Sequence, residues 1–357
     1  MNHSAGFEVD DRNDPHGDVS LRVFVCEFVT GGGFAGGDLP DGLRAEGDMM
    51  LRAIVKDLSD LPGIHVSVVR DRRLPLPDLP VELCWIEAGG DPWPKWRQLM
   101  ADAQAVLPIA PETDRLLERL TALALDAGSI LLGSRLGAVR RAASKTATVA
   151  HLARAGIATV ATCPAAAAFD NTLPAWDGGW VAKPDDGAGC EETLLLPDTP
   201  MLRRWLAELP DPSRFVVQPY LAGRATSLCL LCGDGRALLL SCNEQDMRIE
   251  AVRLHYRGGV VGGREADRHF YEPIAARIAA AMPELWGFVG VDLVETASGP
   301  IVLEVNPRLT TSYAGLRQFL GHNPAALLLQ LATGGWEQVG PLGTSRQAAV
   351  RVVAHAA

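Results

Sequence analysis

The sequence lacks the excess of basic residues that nucleic-acid-binding proteins carry. Its 33 lysines and arginines are outnumbered by 43 aspartates and glutamates, giving a formal net charge of −10 at pH 7. Phosphate backbones are bound by clustered lysine and arginine side chains, so we expect no nucleic-acid partner. A pocket can still be locally basic in an acidic protein, so an anionic small ligand is compatible with this composition.

Long apolar runs are missing as well. A membrane-spanning helix needs roughly 18 apolar residues, and the nearest candidate, 149–169, is interrupted by His151 and Arg154. Residues 1–20 are rich in aspartate and lack the basic start and apolar stretch of a secretory signal. We therefore expect a disordered arm at 1–20, a cytoplasmic location and no membrane partner.

Cysteine is scarce and odd in number, with seven scattered through 357 residues. This usage fits a reducing compartment better than a disulfide framework. Cys229 and Cys232 have the spacing of a metal-binding pair, but they fall in a predicted strand. An offset of three residues on a strand places side chains on opposite faces, so we expect buried free thiols rather than a zinc site.

The chain is long enough for two or three domains. Its first third alternates strand and helix patterns, which predicts a parallel sheet covered on both faces. After a predicted helix at 144–155, strand patterns dominate. The expected divisions are an arm (1–20), an α/β domain (21–138), a central subdomain (139–220), a C-terminal subdomain (221–335) and a tail (336–357).

Two apolar strands near the C-terminus, 289–295 and 301–306, form a predicted hairpin around Gly299. A three-residue loop at 297–299 would pair position 292 with 304 and position 293 with 303. Leu293 then faces Leu303, and Val291 faces Val305. Such apolar matches are what a buried sheet face requires.

The other face of this hairpin carries Asp292, Glu304 and Asn306. Two carboxylates on one sheet face repel each other unless a cation lies between them. Hard oxygen ligands suit Mg²⁺, or Mn²⁺, held jointly with nucleotide phosphates. Arg308 follows closely, and its guanidinium can clamp phosphate oxygens. A solvated strand face that carries acids by chance stays open as an alternative.

Two lysines upstream are placed to bind phosphate. Lys183 ends an apolar strand and precedes a loop with Gly187 and Gly189, whose backbone N–H groups can approach phosphates. Lys145 lies at the start of the helix predicted from Ser144, where the helix dipole also favours an anion. An ordinary surface charge is the alternative explanation for either lysine alone.

The first predicted strand, 21–29, runs into a glycine-rich segment. Gly31, Gly33 and Gly36 satisfy the GxGxxG pattern of dinucleotide-binding folds. However, no helix pattern opens on the last glycine, as that fold needs. We therefore interpret the segment as a flexible loop over a substrate pocket.

The order of these elements resembles the ATP-grasp superfamily from about residue 139 to residue 335. The matching elements are Ser144-Lys145, Val181-Ala-Lys183-Pro, the glycine loop, Gln218-Pro-Tyr-Leu-Ala-Gly223, Gly290-Val-Asp292 and Glu304-Val-Asn306-Pro-Arg308. The resemblance implies a mixed α/β and α+β architecture. An ATP-grasp fold would follow an N-terminal parallel-sheet, or pre-ATP-grasp, domain.

The resemblance also implies a role for each matching residue. Those implied to bind ATP are Lys145, Lys183, Gly187, Gly189, Gln218, Tyr220 and Leu221. Those implied to bind Mg²⁺ are Asp292, Glu304 and Asn306. Arg308 and Lys183 would be catalytic, and Arg308 would stabilise the transferred phosphoryl group. Many relatives have an acid at the position of Ala225, so the ribose-binding residue is not named by the sequence.

A finer resemblance is to the tyramine–glutamate ligase family of methanofuran biosynthesis. It rests on segments 27–33, 110–112, 243–245 and 256–259. It implies that the γ-carboxyl of L-glutamate is joined to the amine of tyramine or tyrosine through an acyl phosphate. Glu27 or Glu112 would meet the ammonium group and an arginine the carboxylates. The implied substrate-binding residues are Glu27, Thr30, Gly31, Gly32, Gly33, Glu112, Arg253, Arg257 and Arg264.

Three other functions stay compatible with the sequence: a different carboxylate–amine ligase, an ATP-grasp kinase, and a nucleotide sensor without turnover. A sensor need not keep two metal-binding acids and a phosphoryl-clamping arginine, so the intact set favours an enzyme. We expect the partners to be small-molecule substrates. A homodimer is compatible with the sequence.

Overall fold

The structure is a computed structural model that describes residues 20–168, 173–187, 189–340, 342 and 346–354. The predicted arm before Ser20 and part of the predicted tail, 341, 343–345 and 355–357, lie outside these residues. Within the described ranges, every helix is too short or too polar to cross a bilayer.

A five-stranded parallel sheet forms the first part of the chain, as strand–helix alternation predicts. Its spatial order is β3-β2-β1-β4-β5. The elements are β1 (Leu21–Glu27), α1 (Asp41–Ser59), β2 (Ile64–Asp71), β3 (Glu82–Ile86), α2 (Trp93–Asp102), β4 (Ala105–Ile109), α3 (Leu116–Asp126) and β5 (Ile130–Leu131). Strand β1 is apolar along most of its length because it is central and covered on both faces.

The first part of the glycine-rich segment, residues 29–33, is a packed turn and not the loop over a substrate pocket that the sequence suggested. Residues 29–33 form one π-helical turn, in which Gly32 has φ +96°. A Cβ at Gly32 would lie 2.8 Å from Ile86 Cβ, so only glycine fits against β3. Gly31, Gly32 and Gly33 therefore serve packing, whereas Gly36 and Gly37 are exposed, and α1 begins only at Asp41.

A ten-stranded sheet follows, in the order β14-β13-β10-β11-β12-β8-β7-β9-β6, with β15 paired to β12. Its strands are β6 (Cys163–Pro164), β7 (Trp180–Pro184), β8 (Leu194–Leu196), β9 (Phe215–Pro219), β10 (Arg224–Gly233), β11 (Arg236–Glu250), β12 (Arg253–Val261), β13 (Gly287–Thr296), β14 (Gly299–Asn306) and β15 (Val350–Val353). Strand β15 lies in the segment that the sequence left as a tail.

Helices accompany this sheet. They are α4 (Leu136–Ala142), α5 (Lys145–Arg154), α6 (Ala165–Ala168), α7 (Thr199–Glu208), α8 (Arg268–Ala281), α9 (Tyr313–Leu320) and α10 (Pro324–Gly334). The predicted helix 144–155 is α5, and Ser144 caps it by accepting a hydrogen bond from the Ala147 N–H.

Strand β10 separates two apolar cores. Cys229 belongs to the core between the two sheets, whereas Cys232 belongs to the core under α8. Both are buried free thiols on opposite faces, as the strand spacing predicts. Burial raises the pKa of Cys229 to about 12. The CxxC spacing is therefore a packing feature.

Helix α1 of the first sheet is fixed to the C-terminal helices by apolar and polar contacts. Leu51 and Leu58 of α1 share a core with Leu316 of α9. Asp57 is buried and accepts hydrogen bonds from Tyr313 Oη at 2.8 Å and Arg317 Nη1 at 3.0 Å. These contacts set the position of α1 relative to the second sheet.

We expect Tyr313→Phe to lower the free energy of unfolding by about 1–3 kcal/mol, because the buried Asp57 carboxylate loses a donor. The change is measured as a drop in the thermal unfolding midpoint. Glu337→Gln is the control, since this side chain forms only an exposed ion pair with Arg236 at 3.0 Å, and its loss should change stability by about 0.5 kcal/mol or less. Equal midpoints for the two variants would contradict the role of Asp57.

Candidate active site

The hairpin of β13 and β14 pairs Asp292 with Glu304 and Val291 with Val305, as the sequence predicts. The turn is shorter than predicted, because Thr296 pairs with Gly299 across two residues. A bulge then places Leu293 opposite Val302 and not opposite Leu303. The bulge adds back the residue that the turn lacks, so the register at the polar end is unchanged.

Asp292 and Glu304 lie side by side with different partners. Asn306 Nδ2 and Gln245 Nε2 each donate to Asp292 at 3.0 Å. Loss of hydration raises the pKa of Asp292 to about 7, and the adjacent Glu304 adds to the shift. Burial also works to raise the pKa of Glu304, but Lys145 and Lys183 outweigh it and lower that pKa to about 2.

This donor set fits a hard divalent cation. Burial and the neighbouring Glu304 disfavour the ionised form of Asp292, and a metal ion bound beside it would favour that form. Within the described residues, no group of three His, Cys, Asp or Glu side chains could hold a metal. Further oxygens would have to come from Asn306 or from a bound ligand, as is usual for Mg²⁺.

Lys145 and Lys183 are buried, so the surface-charge explanation fails for both. Their Nζ atoms lie 3.6 and 3.4 Å from the same Glu304 oxygen. Lys145 Nζ also donates to the Gly187 carbonyl at 2.7 Å. Burial lowers the pKa of Lys183, against the attraction of Glu304. Two ammonium groups that share one carboxylate leave positive charge available for an anion.

A cavity of about 600 Å³ opens over these groups. It brings together all the residues predicted to bind nucleotide or metal, although their roles stay predictions. They are Lys145, Lys183, Gly187, Gly189, Gln218, Tyr220, Leu221, Asp292, Glu304, Asn306 and Arg308. The Tyr220 N–H donates to the Gly179 carbonyl at 2.8 Å, so that donor is already used.

Arg308 is held by Glu112, which follows β4 of the first sheet. Its Nε and Nη2 donate to the two Glu112 oxygens at 3.0 Å each, and both side chains are largely buried. The structure thus gives Glu112 a partner other than the substrate ammonium group that the sequence predicted. The pairing spans 196 positions, which is why no local pattern revealed it.

Glu27 and the glycines after it also lie away from the predicted role. The buried Glu27 carboxylate accepts hydrogen bonds from the N–H groups of Val29 and Thr30 and from Thr30 Oγ1. It therefore caps the π-helical turn. The described lining of the cavity does not include Glu27, Thr30, Gly31, Gly32 or Gly33.

The three predicted substrate arginines lie outside the described lining of this cavity as well. Arg264 pairs with Glu295 at 2.8 Å and with Asp267, and Arg257 pairs with Glu250 at 3.2 Å. Arg253 lines a neighbouring cavity of about 500 Å³. Charge alone could not show which arginines already have protein partners.

The cavity has side chains that the sequence did not suggest. Arg248 lies on β11 and Arg351 on β15, a strand in the predicted tail. Glu46 reaches the cavity from α1. Glu46 has no motif around it, because it is one acid on an amphipathic helix, so only the three-dimensional arrangement could identify it.

Comparison with known proteins gives a consistent result for the fold. A family model of the ATP-grasp domain matches residues 142–312, and one of the pre-ATP-grasp domain matches residues 64–139. A protein from Archaeoglobus fulgidus described as ATP-grasp superfamily has a TM-score of 0.65 at 26% identity, over 87% of this chain and 88% of that one. The ten-stranded sheet therefore belongs to an ATP-grasp fold, and the five-stranded parallel sheet belongs to the pre-ATP-grasp domain that precedes it.

Named relatives are more distant or partial. Phosphoribosylamine–glycine ligase of Mycobacterium leprae is 30% identical over 64% of this chain and 59% of its own length. Tyramine–L-glutamate ligase of Methanocaldococcus jannaschii is 31% identical over 29% and 32%. The chain thus spans less than two thirds of either relative. An L-amino acid ligase from Bacillus licheniformis shares the fold, with a TM-score of 0.65 at 16% identity over 90% and 77%.

We expect Lys183→Met to weaken the binding of Mg·ADP at least ~10-fold, because the cavity loses one of its two buried ammonium groups. Isothermal titration calorimetry measures the affinity. Lys56→Met, on the exposed side of α1, is the matched control and should bind as the wild type does. Unchanged affinity in the Lys183 variant would count against the phosphate role.

Proposed function

We propose that this chain, which has an ATP-grasp fold behind a pre-ATP-grasp domain, is an ATP-dependent, ADP-forming carbon–nitrogen ligase. The observation that carries this proposal is that two lysines and two acids meet in one cavity. Lys145 and Lys183 both lie against Glu304, and Asp292, beside Glu304, has a raised pKa. A nucleotide polyphosphate would bind the two ammonium groups, and a divalent cation would offset the charge of the two carboxylates.

The chemistry that suits this arrangement has two steps. A substrate carboxylate attacks the γ-phosphorus of ATP, the bond to ADP breaks, and an acyl phosphate forms. An amine then attacks the acyl carbon, the C–N bond forms, and phosphate leaves. Phosphorylation supplies the leaving group that a carboxylate lacks, so the protein mainly has to align reactants and neutralise charge.

The side chains of the cavity can perform these tasks. Lys145 and Lys183 would hold phosphate oxygens through fixed ammonium groups. Arg308 would stabilise the transferred phosphoryl group, and the two bonds to Glu112 keep its guanidinium from turning away. Asp292 and Glu304 would hold Mg²⁺, whose charge would offset that of the phosphates.

For the substrates, we favour the γ-carboxyl of L-glutamate and the amine of tyramine or tyrosine. Two features support this choice: the partial similarity to a tyramine–L-glutamate ligase, and the position in the cavity of Gln245 and Tyr256, which belong to segments that resemble that family. Ligation of other amino acids is equally compatible, since the L-amino acid ligase has the same fold. An ATP-grasp kinase is a further candidate.

The substrate proposal is tested with purified protein, ATP, Mg²⁺, L-glutamate and tyramine. We expect release of ADP and formation of γ-glutamyltyramine, detected by a coupled assay and by mass spectrometry. No ADP above background with either tyramine or tyrosine would overturn this substrate pair, while other carboxylates and amines would still test the ligase class. A stable phosphoester that forms without any amine would favour the kinase.

Glu304→Gln should reduce kcat by ~100-fold or more, on the order of 3 kcal/mol in activation free energy, because the cation and both lysines lose their shared carboxylate. The control is Glu295→Gln on the same hairpin, whose side chain pairs with Arg264 outside the described cavity lining. Activity above a tenth of the wild type in the Glu304 variant would refute its metal role.

A further inference from the structure

The segment that follows β7 is held at three successive residues by different partners. The Asp185 carboxylate accepts hydrogen bonds from the backbone N–H and the hydroxyl group of Thr146, at the start of α5, at 2.8 and 3.0 Å. The Gly187 carbonyl accepts a hydrogen bond from Lys145 Nζ at 2.7 Å. Asp186, between them, contacts the pre-ATP-grasp domain instead. The segment therefore connects the lysine side of the cavity to the domain of the first sheet.

Asp186 binds the short turn that follows β4. Its Oδ2 accepts a hydrogen bond from the Asp114 N–H at 3.1 Å, and its carbonyl accepts one from Thr113 Oγ1 at 3.2 Å. Glu112, the residue just before these two, binds Arg308 through both of its carboxylate oxygens. A continuous path of hydrogen bonds and three successive residues therefore connects Asp186 to the guanidinium group of Arg308.

The turn has a backbone conformation that needs support. Asp114 and Arg115 are successive residues in the left-handed region, with φ +53° and +59°. This region is unfavourable for residues other than glycine, and it persists where surrounding contacts fix it, often beside a functional site. Arg115 is held by two hydrogen bonds to Glu118, and Asp114 by the bond from its N–H to Asp186. Without Asp186, the turn would lose one of its supports next to the side chain that orients Arg308.

We propose that Asp186 is a positioning residue for phosphoryl transfer, because it fixes the turn at 112–115 and thereby keeps Arg308 directed at the transferred phosphoryl group. This inference rests on the proposed ligase function. Asp186 is not part of the described lining of the cavity, so it acts through Glu112. Its neighbour Gly187 is bound to Lys145. The lysine and the arginine that flank the phosphates are therefore aligned by one segment and not independently.

Asp186→Ala removes the acceptor for the Asp114 N–H and should lower kcat for ADP release ~10-fold, because Arg308 acts on the transferred phosphoryl group. Mg·ADP lacks that group, so its affinity, measured by calorimetry, should stay within about threefold of the wild type. Asp186→Asn should restore kcat to within about threefold, since an amide oxygen can still accept the hydrogen bond. Asp177→Ala is the matched control, because this exposed acid precedes the other end of β7, and it should behave as the wild type.

A double-mutant cycle tests whether Asp186 acts through Glu112. Glu112→Gln alone should lower kcat ~10-fold or more, because its amide presents a donor to the Arg308 guanidinium and breaks the paired contact. In that background, Asp186→Ala should lower kcat less than about twofold further, since the contact through which it acts is already lost. Effects that multiply would show two independent roles and overturn the proposal. Thermal unfolding midpoints show whether each variant is folded.

A measurement without turnover separates this proposal from the ligase function. The Arg308 Nε–H donates to Glu112, and its signal in a nitrogen–proton correlation spectrum can be assigned by its absence in Arg308→Lys. Asp186→Ala should shift this signal, whereas Asp177→Ala should leave it in place. An unchanged signal, a wild-type kcat in Asp186→Ala, or an Mg·ADP affinity that falls as much as kcat would each overturn the role of Asp186. If the wild-type protein releases no ADP with any carboxylate and amine tested, the ligase function fails, and a shifted signal would still demonstrate the link between Asp186 and Arg308.

Discussion

The buried ion pair between Glu112 and Arg308 is the contact on which the site most depends. It joins the end of a strand in the first sheet to the residue that follows the metal-binding hairpin of the second. Removing one partner of such a pair leaves an uncompensated buried charge, which costs about 3–5 kcal/mol. The pair therefore holds the pre-ATP-grasp domain against the cavity and keeps the arginine in one orientation.

The charges around Glu304 leave Asp292 incompletely compensated. Burial and the adjacent Glu304 raise the pKa of Asp292, whereas Lys145 and Lys183 lower the pKa of Glu304. A polyphosphate with its cation would complete this group, because the phosphates would meet the two ammonium groups and the cation would offset the acids.

The residues predicted to bind nucleotide and metal come together in one cavity because short segments place them, although their roles stay predictions. Helix capping by Ser144, the position of Lys183 near the end of β7 and the pairing of Asp292 with Glu304 all follow from such segments. The residues predicted to bind the substrates lie outside the described lining of this cavity, because long-range contacts determine where they lie. The partner of Glu112 lies 196 positions away, Gly32 is required for packing against Ile86, and Arg351 comes from a strand in the presumed tail.

The bulge in β14 has a consequence for how this hairpin tolerates change. Leu303, the extra residue, turns toward the cavity, and beyond it the strands regain their pairing at Glu304. The bulge lies between the turn and the polar end of the hairpin. A change of one residue in the length of the turn can therefore be compensated at the bulge. Protein engineers could therefore vary or extend the Ala297-Ser298 tip while the two acids keep their alignment.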